Sequence, residues 1–201
     1  PDRIYVQSDP DPALETRFDF DVARVLSCVY PNYLCFLFGG TFLYEGRGSR
    51  PDLALVARDF SHWFVIEVEL TSHSLERHVL PQVRAFRYGE PQEDCVTILS
   101  RELAIEACQA KTLLQHVPRS VAVIANRPMY EWKAALDGLD IQMLTVSVLQ
   151  ASTGVQAIEL DGRLEVTAEN IGFGTYSATD RSIRLPKGTK LTPGEIQIHD
   201  L

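Results

Sequence analysis

The sharpest pattern of apolar and polar positions lies between residues 50 and 70. Leu53 to Ala57 is an apolar run, Phe64 to Leu70 is rich in β-formers, and Arg58, Asp59, Ser61 and His62 separate them as turn residues. The pattern predicts two paired strands. Alternate side chains of a strand point to opposite faces, so Phe64, Ile66, Val68 and Leu70 share one face while Val65, Glu67 and Glu69 share the other. Two carboxylates thus stand about 6.5–7 Å apart along an otherwise apolar strand. Asp52 lies at the mouth of the partner strand, where pairing brings it toward Glu67.

The flanking elements follow from the same reading. Residues 1 to 11 are polar and acidic and read as an arm. Asp11-Pro12 supplies an N-cap and a first-position proline, and Leu14, Phe18, Val22, Val25 and Val29 recur at helical spacing, predicting a helix over 12–29 that ends before Pro31. Tyr33 to Phe38 reads as a buried strand broken by Gly39-Gly40, with Thr41 to Tyr44 continuing it past a bulge. Glu45 to Arg50 reads as a loop. It is too short for a phosphate-binding loop and lacks the Lys-Ser or Lys-Thr that closes one.

After the hairpin, Leu75, Val79, Val83 and Phe86 form an apolar stripe, predicting a helix over 72–88 that Pro81 kinks or restarts. Cys95 to Leu99 reads as a strand, Glu102 to His116 as a helix and Val121 to Ala125 as a buried strand. Tyr130 to Leu136 reads as a short helix and Ile141 to Leu149 as a strand. Alternation of this kind predicts an α/β sandwich around a mixed central sheet. The composition then shifts at Ala151-Ser152-Thr153-Gly154. Five short candidate strands follow: 157–160, 163–167, 172–177, 182–185 and 195–199. The expected organisation is a domain over 1–150 and a small, barrel-like, all-β unit over 151–201.

Composition adds a few bounds. With 45% hydrophobic and 23% charged residues the chain has material for a globular core. No apolar run reaches membrane-spanning length and no signal peptide opens the sequence, which predicts a cytoplasmic protein without a membrane partner. Cys28, Cys35, Cys95 and Cys108 show no Cys-x-x-Cys spacing, so they read as buried thiols rather than zinc ligands or a disulfide framework. The net charge of −8 weighs against a nucleic-acid partner, because phosphate binding rests on basic groups. Its distribution weighs the other way. From Arg47 to Tyr88 six basic residues, all arginine, face five acids, three of them site candidates. Arginine suits bidentate contacts to phosphate. From Ala151 onward the net charge is −2, so that unit reads as a packing, dimer or protein-partner surface.

Asp52, Glu67 and Glu69 converging from paired strands repel one another unless a cation lies between them. Hard divalent metals take such oxygen ligands, and Mg²⁺ commonly uses one or two carboxylates with water and phosphate. The alternative is an exposed hairpin edge with solvated acids. Pro51-Asp52, an interval, then Glu67-Val68-Glu69 resembles the motif of the PD-(D/E)XK nucleases, the restriction-endonuclease-like superfamily. The resemblance covers roughly residues 12–149. It implies that fold, with Asp52 and Glu67 as metal ligands. Glu69 stands where the family usually has Lys, as it does in a minority of restriction endonucleases. Members open with a helix that sometimes carries an acid near the metal, for which Glu15 and Asp19 are candidates against a solvated helix face. Gln82 resembles the Gln of the RecB-like branch, although Phe86 stands where that branch has Tyr. His73 and His78 follow closely, and their spacing fits no zinc motif.

The expected function is a Mg²⁺-dependent endonuclease hydrolysing DNA phosphodiesters, with Mn²⁺ as a substitute metal. Asp52, Glu67 and Glu69 are the candidate ligands and Gln82 the orienting residue. Glu69 is a general base or a ligand to a second metal, and Arg84 or Arg50 replaces the missing positive charge. The alternative is a nuclease fold that binds nucleic acid or a protein without cleaving. A glycosidase with paired carboxylates is a third reading, disfavoured by the presence of only two tryptophans.

Overall fold

The fold is that of a computed structural model in which residues 5–8, 15–151, 153–154, 156–165, 175–177 and 182–184 are described. It is a mixed α/β structure built on a seven-stranded sheet, with five α-helices among the described residues. The apolar run Leu53–Ala57 (β5) pairs antiparallel with Trp63–Glu69 (β6), and Tyr33–Leu37 (β2) pairs antiparallel with β5 on its outer side. On the other side β6 runs parallel to Arg119–Ala125 (β8), and β8 parallel to Gln142–Ala151 (β9). Both strands of the central hairpin are buried along their whole length. The turn between them closes with the Phe60 N–H donating to the Ala57 carbonyl, and Asp59 Oδ1 accepts from both the backbone and the hydroxyl of Ser61.

Helices cover both faces of this sheet. Glu15–Val29 (α1) packs Phe18, Val22 and Leu26 against Leu53, Leu55, Phe64, Ile66 and Val68 on one side. The opposite side carries Leu80–Tyr88 (α2), Glu93–Leu103 (α3), Ala107–His116 (α4) and Tyr130–Asp137 (α5), packed on Ala54, Val56, Trp63, Val65, Val121 and Val123. The alternation expected for β6 is thus observed: Phe64, Ile66, Val68 and Leu70 face α1, and Glu67 and Glu69 face the α2 layer with Val65.

Several elements differ from the sequence reading. Cys95 to Leu99 is not a strand but lies within α3, burying Cys95, Val96, Leu99 and Leu103. The i, i+4, i+8 spacing of 95, 99 and 103 is a helical stripe, and it prevails over the local β-propensity. The helix expected from Glu102 begins at Ala107, because Ala104 adopts a left-handed conformation (φ 54°) that ends α3. The segment after the hairpin divides at its proline. Leu75–Val79 is a π-helical turn capped by Ser74, and α2 starts at Leu80 with Pro81 in its first turn, where no N–H is needed.

Glu45 to Arg50 is not an open loop. Phe42–Tyr44 (β3) and Arg47–Ser49 (β4) form a hairpin through Glu45 and Gly46, both at positive φ (49° and 76°), the requirement of a two-residue type I′ turn. β3 leaves the main sheet and pairs instead with β4 and with Glu90–Pro91 (β7).

The N-terminal arm contributes a strand, Tyr5–Ser8 (β1), antiparallel to the end of β9. Gln156–Asp161 (β10), assigned by the sequence to the second unit, is antiparallel to β9 over six residue pairs, and Leu164 is buried in the α1-side core. Residues 163–165 are not strand. Thr175–Ser177 (β11) and Ser182–Arg184 (β12) pair antiparallel as a separate two-stranded sheet. The Asp11-Pro12 cap and the expected strand at 195–199 lie outside the described residues.

One junction below α2 is tight enough to predict a stability effect. A Cβ at Gly89 lies 2.3 Å from the Ala85 carbonyl oxygen and 3.0 Å from that of Leu43, both backbone atoms that cannot rotate aside. The Gly89 and Arg87 carbonyls also accept from Arg119 Nη2 at 3.1 and 3.3 Å. Burial pushes the Arg119 guanidinium down to about 10. Gly89→Ala is expected to destabilise the fold by about 1–3 kcal/mol, the usual cost of overpacking, read as a lower urea midpoint at unchanged slope.

Candidate functional site

The site is assembled by the central hairpin and the helical segment that follows it. Pro51 and Asp52 are fixed first through their carbonyls, which accept from the Gly39 and Phe38 N–H groups at the end of β2. Gly39 is at φ 60°, a conformation glycine adopts without strain, so the Gly39-Gly40 break in the sequence marks this turn. The register Leu53↔Ile66, carried one residue further, sets Asp52 across from Glu67. The Asp52 Oδ2 atom accepts the Val68 N–H at 2.8 Å, so its carboxylate is tied to the strand that bears the other two acids. Asp52 is partly buried, and Glu67 and Glu69 are 3% and 1% exposed.

The helical segment supplies the partners of these acids. Gln82 Nε2 donates to Glu67 Oε1 at 2.6 Å. His78 Nε2 lies 3.3 Å from Glu69 Oε1, and His73 Nδ1 lies 2.6 Å from Glu69 Oε2. The spacing explains the match. Two residues along a strand advance about 6.5–7 Å, and four along a helix advance about 6 Å. His78 and Gln82, four apart, therefore align with Glu69 and Glu67, two apart, on an antiparallel course. The His73 and His78 rings meet edge to face, 4.8 Å between centroids. Among the described residues this is where three potential metal donors converge, with the ligand atoms of Glu69, His73 and His78 all within 4.8 Å of one another.

Gln82 has a second feature. Because a carboxylate only accepts, the amide nitrogen must face Glu67 and the oxygen must turn away. That Oε1 atom is buried and has no hydrogen-bond partner among the described residues. A buried amide oxygen left so carries a desolvation cost of about 1–3 kcal/mol, which a bound cation or water would offset.

The remaining sequence candidates are dispersed. Asp19 is buried on α1, the layer on the opposite side of the sheet from Gln82. Glu15 opens α1, and its side chain lies outside what is described. Of the arginines, Arg50 donates to Thr41 Oγ1, whose own hydroxyl donates to Asp94, and Arg87 pairs with Asp140 at 2.7 Å. Arg58 donates to the Pro31 carbonyl. Arg77 and Arg84 are exposed on the same helical segment as His78 and Gln82. Two concave regions elsewhere, one lined by Lys133, Asp137 and Gln142 and the other by Tyr30, Asn32 and Arg163, include none of Asp52, Glu67 and Glu69.

The residues that sequence reasoning undervalued are His73 and His78. Read along the chain they are isolated histidines near a carboxylate. The available signal was their position after Glu69, four and nine residues on. Their convergence depends on the turn after β6 and on the wide π-helical turn, neither of which periodicity reveals. Comparison of the chain with protein-family models, with curated proteins and with solved structures finds no significant match.

Proposed function

We propose that the chain is a metal-dependent nuclease of the restriction-endonuclease-like class, acting on DNA. The observation that carries this reading is the placement of Glu67 and Glu69 on one face of a central strand, with Asp52 bonded to that strand through the Val68 N–H and Gln82 donating to Glu67 from the covering helix. The order of elements supports it: a helix, the antiparallel meander β2–β5–β6, a helical crossover, and β8 parallel to β6.

The donor set fits a hard divalent cation. Asp52 and Glu67 would offer carboxylate oxygens, the ligand type such an ion prefers. When bound, Mg²⁺, or Mn²⁺ in its place, lowers the pKa of a water and offsets charge developing on phosphoryl oxygens. Asp52 and Glu67 would hold that ion. The Val68 N–H holds one oxygen of the Asp52 carboxylate, and Gln82 holds one oxygen of Glu67, the kind of outer hydrogen bonding that orients ligands. Glu69 cannot supply the positive charge of the usual lysine. Both its oxygens meet histidine nitrogens, which suits the metal-ligand role better than that of a base reaching for water. Arg77 and Arg84, exposed on the neighbouring helical segment, are the phosphate-contacting candidates.

Incubating the protein with single- and double-stranded DNA in Mg²⁺ or Mn²⁺ tests the proposal. Cleavage that EDTA stops is the expected result. DNA binding without cleavage in either metal favours the non-catalytic module instead.

A further inference from the structure

We propose that Glu69, His73 and His78 form a second cation site, selective for a divalent transition metal of the Zn²⁺ type rather than for Mg²⁺. The inference goes beyond the nuclease reading and stands whether or not the chain cuts DNA. Its basis is the donor chemistry. Imidazole nitrogen suits zinc and its neighbours, whereas Mg²⁺ takes oxygen and water. Two imidazoles and one carboxylate are a common three-ligand protein set for zinc, with a further position left for solvent or substrate.

The geometry is close to what coordination requires. Zinc bonds of about 2.0–2.1 Å in tetrahedral array set ligand atoms about 3.4 Å apart. Here His73 Nδ1 and His78 Nε2 already lie 2.6 and 3.3 Å from the two Glu69 oxygens, and all three ligand atoms fall within 4.8 Å of one another. His73 and His78 have 31% and 50% of their side chains in solvent, against 2% for Glu69. The site therefore has the Glu69 carboxyl group at its buried base and an open mouth, the arrangement that lets an ion enter and keep a solvent ligand.

A second observation comes from the backbone. His78 is carried by the π-helical turn Leu75–Val79, which buries Leu75 and Val79 and is capped by Ser74 Oγ accepting the Arg77 N–H. Such turns are rare and are found frequently at functional sites. Here the turn presents His78 to Glu69 while α2, beginning at Leu80, presents Gln82 to Glu67.

Isothermal titration of the metal-stripped protein with Zn²⁺ tests the site. Wild type is expected to bind Zn²⁺, and His73→Ala and His78→Ala are each expected to weaken that binding by at least about tenfold, the lower bound for groups that only support a ligand. Both side chains are partly exposed, and far-ultraviolet circular dichroism in EDTA checks that each variant is folded before it is titrated. Asp52→Asn is expected to leave Zn²⁺ affinity unchanged, which separates this site from the nuclease site. Wild type that takes up no Zn²⁺, or histidine variants that bind it with wild-type affinity, would overturn the inference.

Discussion

Asp52→Asn is expected to lower metal-dependent DNA cleavage by at least about 10²-fold, the scale set by losing one positioned electrostatic group, while leaving the fold and DNA binding intact. The structural reason is that the bond fixing Asp52 needs only an acceptor. Its Oδ2 receives the Val68 N–H, and an asparagine oxygen can receive the same bond. What asparagine cannot supply is the negative charge that a hard cation requires. DNA binding should be equal or tighter, because the substitution removes an anion beside the place assigned to phosphate. Gel-shift titration at fixed salt, run beside the cleavage assay, separates the two effects. Weaker binding in the variant would show that Asp52 serves the fold or the DNA surface rather than the metal.

Glu69→Gln is the second substitution with a large expected effect. The carboxylate is buried, and its two oxygens face His73 Nδ1 and His78 Nε2. Glutamine has the same size and keeps one oxygen, and its amide can donate to whichever imidazole presents an unprotonated nitrogen. The fold should therefore survive. The anionic ligand is lost, so Zn²⁺ affinity should fall at least about tenfold. Cleavage should fall by about 10²-fold or more if the second cation assists the reaction. Loss of Zn²⁺ binding with undiminished cleavage would place the Glu69 site outside the chemistry while leaving the site itself standing.

The two acids on β6 were legible in the sequence for a simple reason. A charged residue inside an apolar strand is conspicuous, and the period of two fixes which residues share its face. The core confirms the faces, with Val65 packed toward α2 and Phe64 and Ile66 toward α1. Val121 to Ala125 was legible because a fully buried parallel strand is continuously apolar. Cys95 to Leu99 was misread because a short apolar run supports either period, and Leu103, the residue that settles it, was assigned to the next element. The Glu45-Gly46 turn was obscured because Glu45 takes a positive φ that glutamate rarely adopts. Gln82 was half legible: its likeness to the Gln of the RecB-like branch was visible, and its bond to Glu67 was not. His73 and His78 were hidden, because what joins them to Glu69 is the path of the chain between β6 and α2.

Single-turnover cleavage of end-labelled DNA by wild type, Asp52→Asn and Glu69→Gln across Mg²⁺ and Mn²⁺ titrations decides whether these acids hold the metal. The predicted result is wild-type cleavage that rises with metal, saturates and vanishes in EDTA, with Asp52→Asn flat throughout. Robust wild-type cleavage that survives Asp52→Asn would contradict the assignment of the metal to these acids.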